Sequence, residues 1–236
     1  MTTTRSVFAT TDALAAELVD KTIAAAEQAI ARRGRFTMAL TGGSVVAAIY
    51  PVLAQAALPW DKVHVFFGDE RSVPPDHKDS NFKLAHDTLL GLPSVRGVHV
   101  HRIRGEDDAM KAAADYEGVL LDVTDGTGAI DIVHVGMGPD GHICSLFPEH
   151  PLLREERRLV MPILDSPKPP PSRVTFTLQT LARARALFFL VTGAAKAEAV
   201  ADAVLNPSST LPVALAARGA ASACWLLDND AARLLK

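Results

Sequence analysis

The chain predicts an α/β fold in which a mainly parallel sheet carries helices on both faces. Three observations lead there. Short, almost wholly apolar runs such as residues 63–67 and 130–135 have the composition of strands buried on both sides. Between them lie segments with apolar residues at helical spacing. Strand and helix also alternate along the length, the order that sets parallel strands side by side with their crossovers on the faces.

Each element has its own local signal. Thr10, Thr11 or Asp12 can cap a first helix with the stripe Leu14, Leu18, Ile23, Ala26 and Ile30, and Gly34 ends it. Residues 1–5 lead into that helix. A strand over 36–40 runs into Thr41-Gly42-Gly43-Ser44, a tight turn opening a helix through Val45, Val46 and Ile49. Residues 62–67 form the next strand, followed by Gly68-Asp69-Glu70-Arg71 and a proline-rich loop. Ser80-Asn81 caps a helix reaching about Leu90. A strand at 98–103, a helix at 106–123 closed by Asp125-Gly126, and the strand at 130–135 come next. A short strand is expected at 160–164. Residues 165–172 hold three consecutive prolines, which lack backbone donors and so rule out helix or central sheet. Strands at 173–178 and 186–191 follow. Gly193-Ala194-Ala195-Lys196 then opens a helix to Leu205, and a loop at 207–211, a short helix and a last strand at 221–227 complete the pattern. No internal repeat and no dividing linker is present, so residues 1–236 read as one domain.

Composition narrows the function. Of 236 residues, 48% are hydrophobic and 22% charged, enough apolar mass for a large core in an ordinary globule. The formal net charge is -3 and no basic block stands out, which argues against nucleic acid as a partner. No run approaches the roughly 20 apolar residues of a membrane span, and the start lacks the apolar centre of a signal peptide. Two cysteines, Cys144 and Cys224, make no disulfide framework. A cytoplasmic protein with no obligate protein partner is the expectation.

Chemistry concentrates where strands run into loops, the ligand-binding edge of an open parallel sheet. After the strand at 130–135, a glycine-rich turn delivers Asp140 and His142, and an imidazole between small residues can meet a substrate. Thr41-Gly42-Gly43-Ser44 can be an ordinary capped turn or an anion cradle. The glycines allow close approach, and the helix start offers free N–H groups to a phosphate. Gly68-Asp69-Glu70-Arg71 leaves the sheet at the same edge, so Asp69 and Arg71 can reach a common cleft, with Arg71 as a fork for an oxyanion or phosphate. Lys196, at a helix start, opposes the helix dipole unless an anion lies between them. Arg173 opens a strand. His64, His99, His101 and His134 lie among valines and read as sheet residues; no metal-ligand spacing supports a site. Cys144 sits among apolar neighbours and reads as packing.

Together, Thr41-Gly42-Gly43-Ser44, Gly68-Asp69-Glu70-Arg71-Ser72-Val73-Pro74, Asp79-Ser80-Asn81, the block from Gly136 to Pro148, Arg173-Val174-Thr175 and Gly193-Ala194-Ala195-Lys196 resemble, in order, the motifs of the 6-phosphogluconolactonase family. The resemblance runs from about residue 10 to the C-terminus. It implies a Rossmann-like sheet similar to that of glucosamine-6-phosphate deaminases and ribose-5-phosphate isomerases. The deaminases typically carry a tyrosine where this chain has Arg71, and a glutamate-containing segment where it has Ser145-Leu146-Phe147-Pro148. Both differences favour a lactonase. The rival readings are an isomerase or deaminase with Asp69 as carbon base, and a non-catalytic sugar-phosphate sensor. A sensor would carry a DNA-binding helix-turn-helix before residue 35, where only one helix fits.

The implied substrate is a phosphorylated sugar lactone, and no metal or organic cofactor is expected. His142 would act as general base, and Asp140 or Asp69 would orient it. Arg71 and backbone N–H groups near Gly43 or Gly141 would receive the oxyanion. The phosphate would lie on Thr41, Gly42, Gly43 and Ser44, with Arg173 and Lys196 closing over it.

Overall fold

The computed structural model describes residues 2–235. In chain order the first half holds β1 (Thr2–Phe8), α1 (Thr11–Arg33), β2 (Phe36–Leu40), α2 (Ser44–Leu53), β3 (Val63–Phe67), β4 (Asp69–Arg71), α3 (Asn81–Ala85), β5 (His99–Val100) and α4 (Ala109–Val123). The second half holds β6 (Ile132–Val135), β7 (Val160–Ile163), β8 (Arg173–Phe176), α5 (Leu178–Arg183), β9 (Ala186–Val191), α6 (Ala197–Leu205), α7 (Pro212–Gly219) and β10 (Ser222–Asp228).

Seven strands form one sheet in the order β1-β10-β9-β6-β2-β3-β5, every pairing parallel. Every residue of β2 and β6 is buried. Successive strand residues face opposite ways, so both faces of the sheet are covered, and its centre is the core of the molecule. From β2 the chain steps to β3 and β5 on one side. It then returns with β6 on the other side and continues through β9 to β10. The strand order therefore reverses between β2 and β6. The crevice beyond their carboxyl ends is where such sheets bind ligands.

The local signals act as their chemistry dictates. The Thr10 hydroxyl accepts from Ala13 N–H, and Gly34 ends α1 in the left-handed region at φ 74°. The Ser80 hydroxyl accepts from Lys83 N–H to start α3, which continues as a wider turn through His86–Leu90. Asp108 caps α4, so that helix begins later than residue 106.

Four features depart from the expected pattern. Residues 2–8 form β1, an edge strand with a single neighbour; its Thr-rich, largely exposed sequence has no apolar alternation to betray it. Residue 1 of that segment, like residue 236 of the expected domain span, lies outside the described residues. The charged turn after β3 is itself β4, which pairs antiparallel with β8, and β8 with β7, making a separate three-stranded sheet. β8 stops at Phe176 because the Thr177 hydroxyl caps α5. Of the strand expected at 98–103, only His99–Val100 pairs with β3.

Candidate active site

The loops after β2, β3, β6 and β9 surround a cavity of about 310 Å³. Thr41, Gly42, Gly43, Ser44, Asp69, Arg71, His142, Arg173 and Lys196 all line it. Asp140 stands behind His142 and reaches the cavity through it.

One end is built to hold an anion. Gly43 precedes α2 and no side chain caps that helix, so its first N–H groups carry the positive end of the dipole without an internal partner. The turn is pinned from below: Thr41 N–H donates to the Tyr50 hydroxyl at 3.0 Å, which donates to Thr41 O at 3.2 Å. Gly136 N–H donates to the Thr41 hydroxyl at 3.2 Å, joining the β2 and β6 loops across the switch point. A Cβ on Gly42 would fall 2.0 Å from Asn81 Oδ1. Asn81 cannot readily yield, because its Nδ2 donates to both Asp69 O (2.9 Å) and Asp69 Oδ1 (3.0 Å). Lys196 sits in a short turn at Ala194–Lys196 and lines the same cavity. Burial lowers its pKa, and the charge of Lys168 lowers it further.

The small sheet supplies the arginines. Arg71 and Arg173 are cross-strand partners in the β4–β8 register. Like charges directly opposite are unfavourable. Asp69 beside them offsets part of this, and an anion in the cavity would offset more. Arg71 Nη1 donates to Asp79 O at 2.5 Å, while its Nε is buried without a partner among the described residues. Arg173 grips the proline loop: Nε donates to Pro170 O at 3.0 Å, and Nη2 to Lys168 O and Pro169 O at 2.9 and 3.1 Å. Its guanidinium also lies over the Phe147 ring. Asp69 is buried and receives Ser145 Oγ at 2.7 Å besides Asn81, so its carboxylate braces the cavity wall.

The other end carries the imidazole. Gly138 N–H donates to His142 O at 2.9 Å and Gly141 N–H to Gly138 O at 3.1 Å, closing a tight loop. The Gly141 N–H is thereby used within the loop. A Cβ on Gly138 would lie 2.0 Å from His142 Nδ1, so glycine is what lets the ring fold over the turn. His142 Nδ1 is 2.5 Å from Asp140 Oδ1. An ionised carboxylate only accepts, so Nδ1 carries the hydrogen and Nε2 keeps its lone pair. Burial pushes the His142 pKa down; Asp140 pulls it back up, and Lys168 adds to the lowering. Burial opposes ionisation of Asp140, but the hydrogen bonds and charges of His142 and Lys168 outweigh it and bring that carboxyl to about 2.

The remaining candidates behave as packing. Cys144 is buried with its thiol pKa pushed well up, far from a thiolate nucleophile. His64 stacks on His99 and His101 at the sheet edge, and His134 is buried between Tyr50 and Phe188. No group of three or more His, Cys, Asp or Glu among the described residues is placed to hold a metal ion.

Sequence reasoning missed Lys168 and undervalued Asn81. Lys168 Nζ lies 3.1 Å from Asp140 Oδ2 and 3.1 Å from His142 Nδ1. The only signal was a lone lysine in the proline-rich segment at 165–172. Asn81 was read as a helix cap, a role Ser80 fills, while its side chain braces Asp69.

Known proteins share this chain's sequence and fold. Residues 9–225 match the family model described as glucosamine-6-phosphate isomerases/6-phosphogluconolactonase. The 6-phosphogluconolactonase of Mycobacterium tuberculosis is 38% identical, with 100% of this chain and 99% of that protein covered. The human 6-phosphogluconolactonase is 40% identical over 98% of this chain and 93% of its own length. The solved 6-phosphogluconolactonase of Trypanosoma brucei superposes with a TM-score of 0.87 at 29% identity, covering 99% of this chain and 98% of that one. A monomeric glucosamine-6-phosphate deaminase shares the fold at a TM-score of 0.81 and 19% identity, covering 99% of this chain and 100% of that one. The chain belongs to the glucosamine-6-phosphate isomerase/6-phosphogluconolactonase family.

Proposed function

We propose that the chain, acting as a single domain in the cytoplasm, hydrolyses 6-phospho-D-glucono-1,5-lactone to 6-phospho-D-gluconate in the oxidative pentose phosphate pathway. The observation that carries this reading is one cavity holding both an oriented imidazole and an uncapped helix start flanked by cations. Relatives named 6-phosphogluconolactonase, matched over nearly their whole length, support the same reaction. Among the described residues no helix is long and apolar enough to cross a membrane.

In this scheme the phosphate rests on the Thr41–Ser44 turn, with Lys196 beside it and Arg173 fixing the proline loop at the rim. Binding at that remote end places the lactone carbonyl near His142. His142 Nε2 removes a proton from water, and the hydroxide attacks the carbonyl carbon. Charge builds on the carbonyl oxygen, and the Arg71 guanidinium, which lines the cavity, is the donor that meets it, while the N–H groups at Gly43 stay on the phosphate. The intermediate collapses, the bond from carbonyl carbon to ring oxygen breaks, and His142 returns its proton to that oxygen. The carboxylic acid so formed ionises. Asp140 keeps the imidazole in the useful tautomer. An activated lactone already hydrolyses in water, so a base worth roughly 10²–10⁴-fold and an oxyanion donor suffice without a cofactor.

The test is a pH-controlled assay of lactone loss with 6-phosphorylated and unphosphorylated gluconolactone side by side. A kcat/KM at least about 100-fold higher for the phosphorylated form is expected from a lost charge-assisted anchor. Equal rates on the two would remove the anion cradle from the account.

A further inference from the structure

Lys168 has no part in the reaction scheme above, yet its ammonium touches both members of the catalytic pair. Asp140 uses Oδ1 for His142 and Oδ2 for Lys168. Lys168 also lies 3.1 Å from His142 Nδ1. A nitrogen that gives its hydrogen to Asp140 has no lone pair for an ammonium, so this last contact is a close approach and not a hydrogen bond. Once His142 takes a proton, two positive charges face each other across it. Lys168 therefore opposes the step His142 must perform, and it also draws on the carboxylate that favours that step.

The side chain is free to move although its backbone is not. Arg173 holds Lys168 O at 2.9 Å, whereas the Lys168 side chain is 39% exposed on a flexible stem. It lines the same cavity as the Thr41–Ser44 turn and Lys196. A phosphate dianion there is a stronger attractor for an ammonium than a carboxylate already shared with an imidazole.

We propose that Lys168 is a positioning residue that divides its charge between Asp140 and the substrate phosphate, so that phosphate binding releases Asp140 to His142 and strengthens the base. The proposal rests on the lactonase reading, with His142 as base and the phosphate in this cavity. It couples the two ends of the site: a sugar without phosphate leaves Lys168 on Asp140 and meets a weaker base. The other charged groups facing His142 are Asp69 from β4, which favours its protonation, and Arg71, Arg173 and Lys196, which share the cavity. None of these three is a hydrogen-bond partner of Asp140 in the way Lys168 is.

The test is a side-chain NMR titration of His142, its signal identified by loss in His142→Ala, without and with saturating glucose 6-phosphate, which carries no carboxylate. In the wild type the sugar phosphate should raise the His142 midpoint by about one pH unit. Lys168→Met should start from a raised midpoint and move less than half as far; Lys168→Arg should behave as wild type. A wild-type midpoint unmoved by glucose 6-phosphate overturns the proposal even if no Lys168 variant folds. So does a Lys168→Met midpoint equal to the wild type's, or an equal shift in both proteins. Failure of the underlying reading looks different: His142→Ala would then hydrolyse the lactone at the wild-type rate, whatever the titration gave.

Discussion

The two ends of the parallel sheet use the same residue types to opposite effect. At the amino-terminal end Asp131, just before β6, is buried and saturated. Arg33 donates to Oδ1 and Arg185 forms an ion pair with it, while Thr37 N–H and Oγ1 donate to Oδ2 at 2.9 and 3.0 Å. At the carboxyl end Asp140 also holds a cation and an imidazole, but that group is left open. His142 and Arg71 line the cavity, and the start of α2 is uncapped. Paired valences make a structural clamp. Unpaired ones beside a cavity make a place for substrate. Two histidines eight residues apart differ instead in where they sit. His134 sits in the core with neither ring nitrogen partnered among the described residues, and burial pushes its pKa down to about 4; His142 lines the cavity and is held through Nδ1 by Asp140.

Substitutions at the two ends should therefore fail in different ways. Short of removing the imidazole itself, the largest effect is expected at Gly138→Ala, whose methyl displaces the His142 ring. Displacement on the ångström scale should lower kcat by on the order of 10²-fold with the thermal midpoint nearly unchanged. A full-rate Gly138→Ala enzyme would show that ring placement is not limiting. Asp131→Ala should do the reverse. It strands Arg33 and Thr37 and should cost about 2 kcal/mol of stability, read by denaturant unfolding, with kcat per folded molecule unchanged.

Asp140→Asn tests the open group more gently. Asp140 raises the His142 pKa, so its loss should lower that pKa and weaken the base. The rate on the plateau should fall roughly tenfold. Because His142 must be neutral to act, the acid limb of the profile should move to lower pH; movement to higher pH would contradict the assignment. The smallest effect belongs to His134→Leu, expected to alter stability at neutral pH by no more than about 1 kcal/mol. In the wild type the unfolded chain takes up a proton that buried His134 refuses. Stability present above the ordinary 6.5 is therefore lost as pH falls toward 4. The leucine variant should lose less across that window, and an identical pH slope in both proteins would refute the point.

Much of this was legible in the sequence because the signals were local. Continuous apolar runs marked the central strands, Thr10, Gly34 and Ser80 marked helix ends, and strand-to-loop exits marked the site. What stayed hidden depended on partners distant in sequence. Asp69-Glu70-Arg71 looks like any charged turn until β8 pairs with it. Residues 2–8 look like a polar leader until β10 offers an edge. The choice between Asp69 and Asp140 as the histidine's partner was open because both leave the sheet at the same edge. Asn81 and Ser145 occupy the first, leaving the second to meet the ring. Lys168 is read only once Arg173 has drawn the proline loop over the cavity.

The central claim is that one imidazole activates water while a separate anion cradle holds the sugar phosphate. The most direct measurement is on His142→Ala, with lactone loss corrected for spontaneous hydrolysis and glucose 6-phosphate binding measured by calorimetry on the same sample. The account predicts turnover reduced at least about 10²-fold with binding retained within severalfold. Wild-type turnover by this variant would contradict it.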